Sequence, residues 1–157
     1  MIHGVGIDLV KVSRVEEMLA RRGERFLRRC FTPAERERCL SRARPAEELA
    51  ARFAAKEAAF KALGPVWRDG VTWKDFEVVN DPRGRPHLRF HGVARAWAER
   101  HGVTVGGISL THDAGLAMAE VILVRGESAR EEGEKHEATD GGDTIDGTHP
   151  LADRGPT

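Results

Sequence analysis

Thirteen residues, Arg-Phe-Ala-Ala-Lys-Glu-Ala-Ala-Phe-Lys-Ala-Leu-Gly at positions 52–64, constrain this chain more than any other stretch. Ala, Leu, Lys and Glu are strong helix formers, and Gly64-Pro65 supplies the stop that such a run needs. At about 100° per residue, Leu49, Phe53, Phe60 and Leu63 share one apolar stripe. Glu57 lies beside that stripe, where a carboxylate loses hydration and needs a cation or hydrogen-bond donors in return. Lys61 follows one turn later, in the order that gives a helix ion pair roughly 0.3–0.5 kcal/mol. Alone, the pair reads more readily as a solvated surface bridge than as a site. A second carboxylate from elsewhere in the chain would change that balance.

The first strand supplies one. Val5, Ile7 and Leu9 alternate with Gly4, Gly6 and Asp8, the period of a strand with one apolar face. Asp8 points to the other face, where Gly4 and Gly6 leave the backbone uncovered and let another element or a ligand come close. An isolated Asp on an edge strand would be ordinary surface. Together, Asp8 and Glu57 are two hard oxygen donors on a strand and a helix, which suits Mg²⁺ with water and phosphate completing its shell.

The remaining elements follow from caps and stops. Ser13-Arg-Val-Glu16 reads as a capping box opening a helix to about Arg22, with Gly23 as its stop and a short second piece carrying Phe26, Leu27 and Cys30. Thr32-Pro-Ala-Glu35 is a second capping box, with Pro at the first helical position, for a helix to about Arg42. Pro45-Ala-Glu-Glu opens the long central helix. Residues 71–79 read as a strand, 80–84 as a turn and 86–90 as its hairpin partner. A helix with Val93, Ala94 and Trp97 inward follows, closed at His101-Gly102. A last hairpin, 105–111 and 116–125, carries His112 at its tip. The order β-α-α-α-β-β-α-β-β predicts an α+β fold: a mainly antiparallel sheet packed against the long central helix.

Net charge is zero but unevenly spread: residues 126–157 hold nine acidic and three basic side chains, against sixteen and twenty-two in residues 1–125. This divides the chain into a domain, 1–125, and an acidic tail, 126–157, whose few large apolar residues cannot offset its ordering entropy, so it reads as disordered. Ten arginines against five glutamates between Arg14 and Arg44 read as a docking surface for an acidic partner, since arginine suits bidentate contact with carboxylates and phosphates. No aromatics alternate with them as a single-strand nucleic-acid platform requires. Only Cys30 and Cys39 occur, which implies neither a disulfide framework nor a metal-ligand set. Nothing approaches a membrane span or signal peptide, so the expected location is the cytoplasm.

With Gly-Ile-Asp-Leu-Val at 6–10 followed by Arg14, the 52–64 run, and Ser-Leu-Thr-His at 109–112, residues 1–125 resemble the holo-acyl-carrier-protein synthases, the small bacterial class of the 4'-phosphopantetheinyl transferases. The resemblance implies the phosphopantetheinyl transferase fold and a Mg²⁺-dependent reaction. In it, the 4'-phosphopantetheine arm of coenzyme A passes to a serine of apo acyl carrier protein, releasing adenosine 3',5'-bisphosphate. It implies Asp8 and Glu57 as metal ligands at the coenzyme A diphosphate, and Lys61 as the group that neutralises or protonates the leaving phosphate. Glu57 or a water on the metal accepts the serine proton, and the sequence does not separate the two.

Lys56, Arg44, Arg52, Arg83 and His112 are implied contacts to the coenzyme's phosphates, with Pro86 against its adenine side. Arg14, Arg21, Arg25 and Arg28 are implied to face the acidic carrier protein. The resemblance further implies a homotrimer with each site shared between neighbouring subunits, so that Asp8 looks into an intersubunit cleft. Two features depart from it: Pro65-Val66-Trp67 where the family often has Thr-Gly, and the acidic tail. The competing readings are an arginine-rich, non-catalytic binding module for RNA or an acidic protein, and another metal-dependent enzyme that consumes coenzyme A or a nucleotide without a protein acceptor.

Overall fold

A computed structural model describes residues 1–65 and 69–126. The order is β1 (Ile2–Lys11), α1 (Val12–Cys30), α2 (Pro33–Leu40), α3 (Pro45–Leu63), a 3-10 turn (Trp73–Asp75), β2 (Phe76–Asn80), β3 (Pro86–Phe90), α4 (Gly92–His101), β4 (Val103–Asp113) and β5 (Leu116–Arg125). This is the expected α+β order. The strands form two antiparallel sheets instead of one: a three-stranded sheet in the order β1-β5-β4, and the β2-β3 hairpin. The expectations for the 126–157 tail and the loop after Pro65 fall mostly outside the described residues.

Helix α3 is the axis of the core. Every residue from Leu49 to Phe60 is buried, Lys56 and Glu57 included, so the helix is enclosed on all sides and has no solvent face for Glu57 to share. On one side it lies along β1 and β5. A Cβ at Gly4 would stand 2.1 Å from the Ala62 carbonyl oxygen, and one at Gly6 1.8 Å from that of Ala58. The two glycines therefore let the strand backbone rest directly on the helix backbone. Ala117, Ala119, Val121 and Leu123 of β5 complete that interface, all essentially without exposure.

The consequence for β1 reverses the ordinary rule for a half-buried strand. Its glycine-and-aspartate face is the covered one, and Val5, Ile7 and Leu9 are exposed. Register places Leu9 opposite Met118 and Val5 opposite Ile122, so the apolar row continues onto β5. Met118 is itself exposed.

Helix α1 begins one residue before Ser13, at Val12, with Lys11 in the N-cap position and no side-chain cap. The Ser13–Glu16 capping box therefore does not form there. β1 runs straight into α1, so the helix starts at Val12 and Ser13 lies inside its first turn; the Val12 N–H donates to the Gly115 carbonyl of the β4–β5 turn at 2.9 Å. Gly23 breaks α1 as expected, with φ 42° and ψ −118°, between its two helical pieces. The Thr32–Glu35 capping box is present, with Pro33 starting α2, which ends at Leu40.

The strand expected over 71–79 starts only at Phe76, because Thr72 and Asp75 cap each other reciprocally and wind Trp73–Asp75 into the 3-10 turn. In α4, Ala94 and Ala98 face inward while Val93 is exposed. Cys30 and Cys39 are buried and free, their thiols pushed by burial up to about 12 and about 11. Among the described residues no helix is long and apolar enough to cross a membrane.

Candidate active site

Two residues after Gly6, Asp8 emerges on the strand face that α3 covers. Its Oδ1 accepts a hydrogen bond from Lys61 Nζ at 2.8 Å, and the same ammonium donates to the Ile7 carbonyl at 2.9 Å. Lys61 is thus ion-paired with Asp8, 53 positions away, a contact that helix spacing does not reveal. Glu57, one turn before Lys61, is 2% exposed and accepts the Trp73 indole N–H at 2.7 Å.

Burial pushes the Glu57 carboxyl up to about 7, and the neighbouring Asp8 charge pushes the same way. The Trp73 hydrogen bond and the Lys61 and Arg14 cations act against them. The strand, the long helix and the 3-10 turn thereby bring Asp8, Glu57, Lys61 and Trp73 together, with Arg14 close enough for its charge to act on Glu57. Two carboxylates from different elements are hard donors that fit Mg²⁺, which commonly takes few protein ligands and fills its shell from water and phosphate. Among the described residues no third His, Cys, Asp or Glu joins them, so a softer, protein-rich metal site is not formed.

The other predicted contacts divide into three groups. Lys56 and Arg52 point into the structure. Lys56 is fully buried, its Nζ donating to Glu35 Oε2 at 2.7 Å, to the Trp73 carbonyl at 3.0 Å and to the Phe76 carbonyl. All three of its donors face internal acceptors, which corrects the expectation that it meets a coenzyme phosphate. Arg52 is also buried, bonded to Glu48 Oε2 at 2.8 Å and Asn80 Oδ1 at 2.9 Å, and ties α3 to the β2–β3 hairpin. Its guanidinium is buried, with Nε lacking a hydrogen-bond partner, and does not take the exposed position expected of a phosphate contact.

The second group lies around the N-terminal half of α3. Arg44 occupies the N-cap position of α3, without a side-chain cap, and is largely exposed beside Glu47, and His112 Nδ1 stands 3.8 Å from Glu47 Oε2. Arg83 is exposed in the β2–β3 turn, and Pro86 pairs with Asn80, the residue that Arg52 holds against α3. Along a straight helix the 14 residues from Glu47 to Lys61 span about 20 Å.

The third group, Arg14, Arg21, Arg25 and Arg28, is exposed along α1. Beyond the Gly23 kink a shallow groove is lined by Glu24, Arg25, Arg28 and Arg29. Arg29 also lies over the Trp73 ring, 5.8 Å from its centroid.

Three residues that matter here were not singled out from sequence: Trp73, Glu35 and Arg29. Trp73 sits 16 positions after Glu57 behind a loop, and no local pattern connects them. Glu35 was legible only as a capping residue, and it does cap α2; that its carboxylate also receives Lys56 depends on where α3 passes.

Comparison with known proteins finds relatives over most of the described chain. Residues 4–119 match the 4'-phosphopantetheinyl transferase superfamily. A holo-acyl-carrier-protein synthase of Solibacter usitatus is 49% identical over 123 residues, covering 78% of this chain and 98% of that protein. One from Halorhodospira halophila is 50% identical over 126 residues, covering 80% of this chain and all of that protein. Among solved structures, the Neisseria meningitidis holo-acyl-carrier-protein synthase superposes with a TM-score of 0.74 at 30% identity, covering 80% of this chain and 100% of that one. The Bacillus anthracis synthase in complex with CoA (3',5'-ADP) gives 0.65 at 35% identity, covering 80% and 99%.

Proposed function

Because this chain belongs to the 4'-phosphopantetheinyl transferase superfamily, among the holo-acyl-carrier-protein synthases, we propose that it transfers the 4'-phosphopantetheine of coenzyme A to a serine of apo acyl carrier protein in the cytoplasm. The products are holo acyl carrier protein and adenosine 3',5'-bisphosphate. The observation that carries this reading is the meeting of Asp8, Lys61 and Glu57 between β1 and α3. In the reaction the serine oxygen bonds to the phosphorus bearing the pantetheine arm, and the bond from that phosphorus to the bridging oxygen of the diphosphate breaks. Such a transfer needs alignment and charge neutralisation more than covalent help from the protein.

Asp8 and Glu57 would hold Mg²⁺ against the diphosphate, where the ion supplies charge neutralisation to the transferring phosphoryl group. Lys61, already 2.8 Å from Asp8, neutralises or protonates the leaving phosphate. The serine's proton passes to Glu57 or to a water on the metal. Arg14, Arg21, Arg25 and Arg28 present cations along α1 to the acidic carrier, and their exposure supports that role.

A homotrimer with shared sites belongs to the same proposal. The uncovered row of Val5, Ile7, Leu9 and Met118 is an apolar strip, interrupted on β5 by Glu120 opposite Ile7, that a monomer would leave in water.

The test is intact-mass spectrometry of apo acyl carrier protein after incubation with this protein, coenzyme A and Mg²⁺, beside an EDTA control. A phosphopantetheine-sized gain in mass that EDTA abolishes is the expected result. No gain, with the protein folded and coenzyme A intact, would return the arginine surface to a binding-module role. Coenzyme A consumed without modification of the carrier would point to a different phosphate-transfer or hydrolysis reaction.

A further inference from the structure

Adjacent residues on α3 are joined to the same tryptophan by opposite ends. The buried Lys56 ammonium donates to the Trp73 carbonyl at 3.0 Å, with Glu35 and the Phe76 carbonyl as its other acceptors. That bond pins the main chain of the 3-10 turn to the helix. The indole N–H of Trp73 then donates to Glu57 Oε1 at 2.7 Å.

The ring between those two bonds has little freedom. Phe53 stacks on it with centroids 6.4 Å apart and planes 18° apart, and Phe60 meets it edge-on at 5.9 Å and 72°. The Arg29 guanidinium covers it at 5.8 Å from the centroid. An indole has one donor and two side-chain torsions, so packing that fixes the ring also fixes the direction of its N–H.

We propose that Trp73 is a positioning residue of the active site: anchored through its carbonyl by Lys56, it aims its indole N–H at Glu57 Oε1 and sets the carboxylate's orientation toward the divalent cation. The proposal rests on the reading of Glu57 as a metal ligand. It gives Lys56 a place in the site as the anchor of the turn that orients Glu57, without contact with substrate. A charge-assisted bond from a fixed donor holds a carboxylate more firmly than solvent does, and outer-shell partners of this kind typically govern metal affinity by 10–100-fold.

The test uses the full-length protein with Mn²⁺ as the probe, its free concentration followed by electron paramagnetic resonance. Two changes at position 73 separate the N–H from the ring: Trp73→Phe, and site-specific incorporation of benzothienylalanine, which keeps the shape of tryptophan and lacks the N–H. The expected result is a Mn²⁺ Kd raised about 10-fold or more in both. In both, kcat with Mg²⁺ falls while KM for apo acyl carrier protein stays within about twofold, a split that general loss of structure would not give. Wild-type Mn²⁺ affinity in the benzothienylalanine protein overturns the proposal, including the case in which Trp73→Phe fails to fold. Glu57→Gln is measured alongside; if it too binds Mn²⁺ as the wild type does, the metal-ligand reading fails, an outcome distinct from failure of Trp73 as its positioner.

Discussion

Replacing Gly6 by alanine would put a methyl group 1.8 Å from the carbonyl oxygen of Ala58, where ordinary contact begins at 3.4 Å. Relief requires β1 to withdraw from α3 by about 1.6 Å, because the struck atom is main chain in the middle of a buried helix and has no rotamer to change. Overpacking of a well-filled core costs typically 1–3 kcal/mol, and a clash of backbone with backbone belongs at about 3 kcal/mol or above. For roughly 125 described residues at about 2.1 cal/mol/K each, 3 kcal/mol lowers Tm by about 11 °C.

The same withdrawal moves Asp8, two residues along the strand, off its 2.8 Å contact with Lys61. A misplacement of about 1 Å in a catalytic constellation costs about 100-fold in rate, so Gly6→Ala should lose about that factor in kcat at temperatures where it remains folded. Differential scanning calorimetry and the carrier-modification assay measure the two effects. Adding Ala58→Gly should not restore either, since it removes a methyl and leaves the carbonyl. A Gly6→Ala protein melting within about 2 °C of the wild type, or one rescued by Ala58→Gly, would refute the argument that glycine sets the spacing of β1 on α3.

Three further outcomes follow from particular contacts. Because the folded state holds the Glu57 proton up to about 7 while the free carboxyl releases it near 4.5, chelator-treated protein should lose stability as pH rises between those values. Glu57→Gln should lack that loss and be more stable above pH 7 by about 3 kcal/mol; parallel pH–stability curves from denaturant titrations would contradict this. Lys56→Met leaves Glu35 as an uncompensated buried carboxylate and should destabilise by about 3–5 kcal/mol, with Glu35→Gln added in the same chain recovering part of it; simple additivity of the two changes would count against the pair. Ile7→Asp places a charge in the exposed apolar row of β1 and should dissociate the oligomer in light scattering, while a monomeric wild type would remove the role given to that face.

Much of the fold was legible because its signals are local. The Thr32–Glu35 capping box, the Gly23 break, the Gly64 stop and the last hairpin each depend on a few consecutive residues, and each appears where the sequence places it. Where a local signal failed, the neighbouring element overrode it: β1 runs straight into α1, which starts at Val12 and leaves Ser13 inside the first turn with no end to cap.

By itself, the sequence determined the order of the elements, the pairing of a Gly-x-Gly-x-Asp strand with a Lys-Glu helix, and hence the class of chemistry within reach. Only the tertiary structure decided which way those residues turn. Periodicity says which side chains share a face and is silent on which face is covered; on β1 the covered face proved to be the one with glycines, because two backbones can touch only where no Cβ intervenes. On α3, burial on all sides erased the amphipathic signal that would have told Lys56 from Lys61. One lysine turned to Glu35 and the Trp73 carbonyl and the other to Asp8, since each ammonium goes where acceptors from distant parts of the chain meet its desolvation cost.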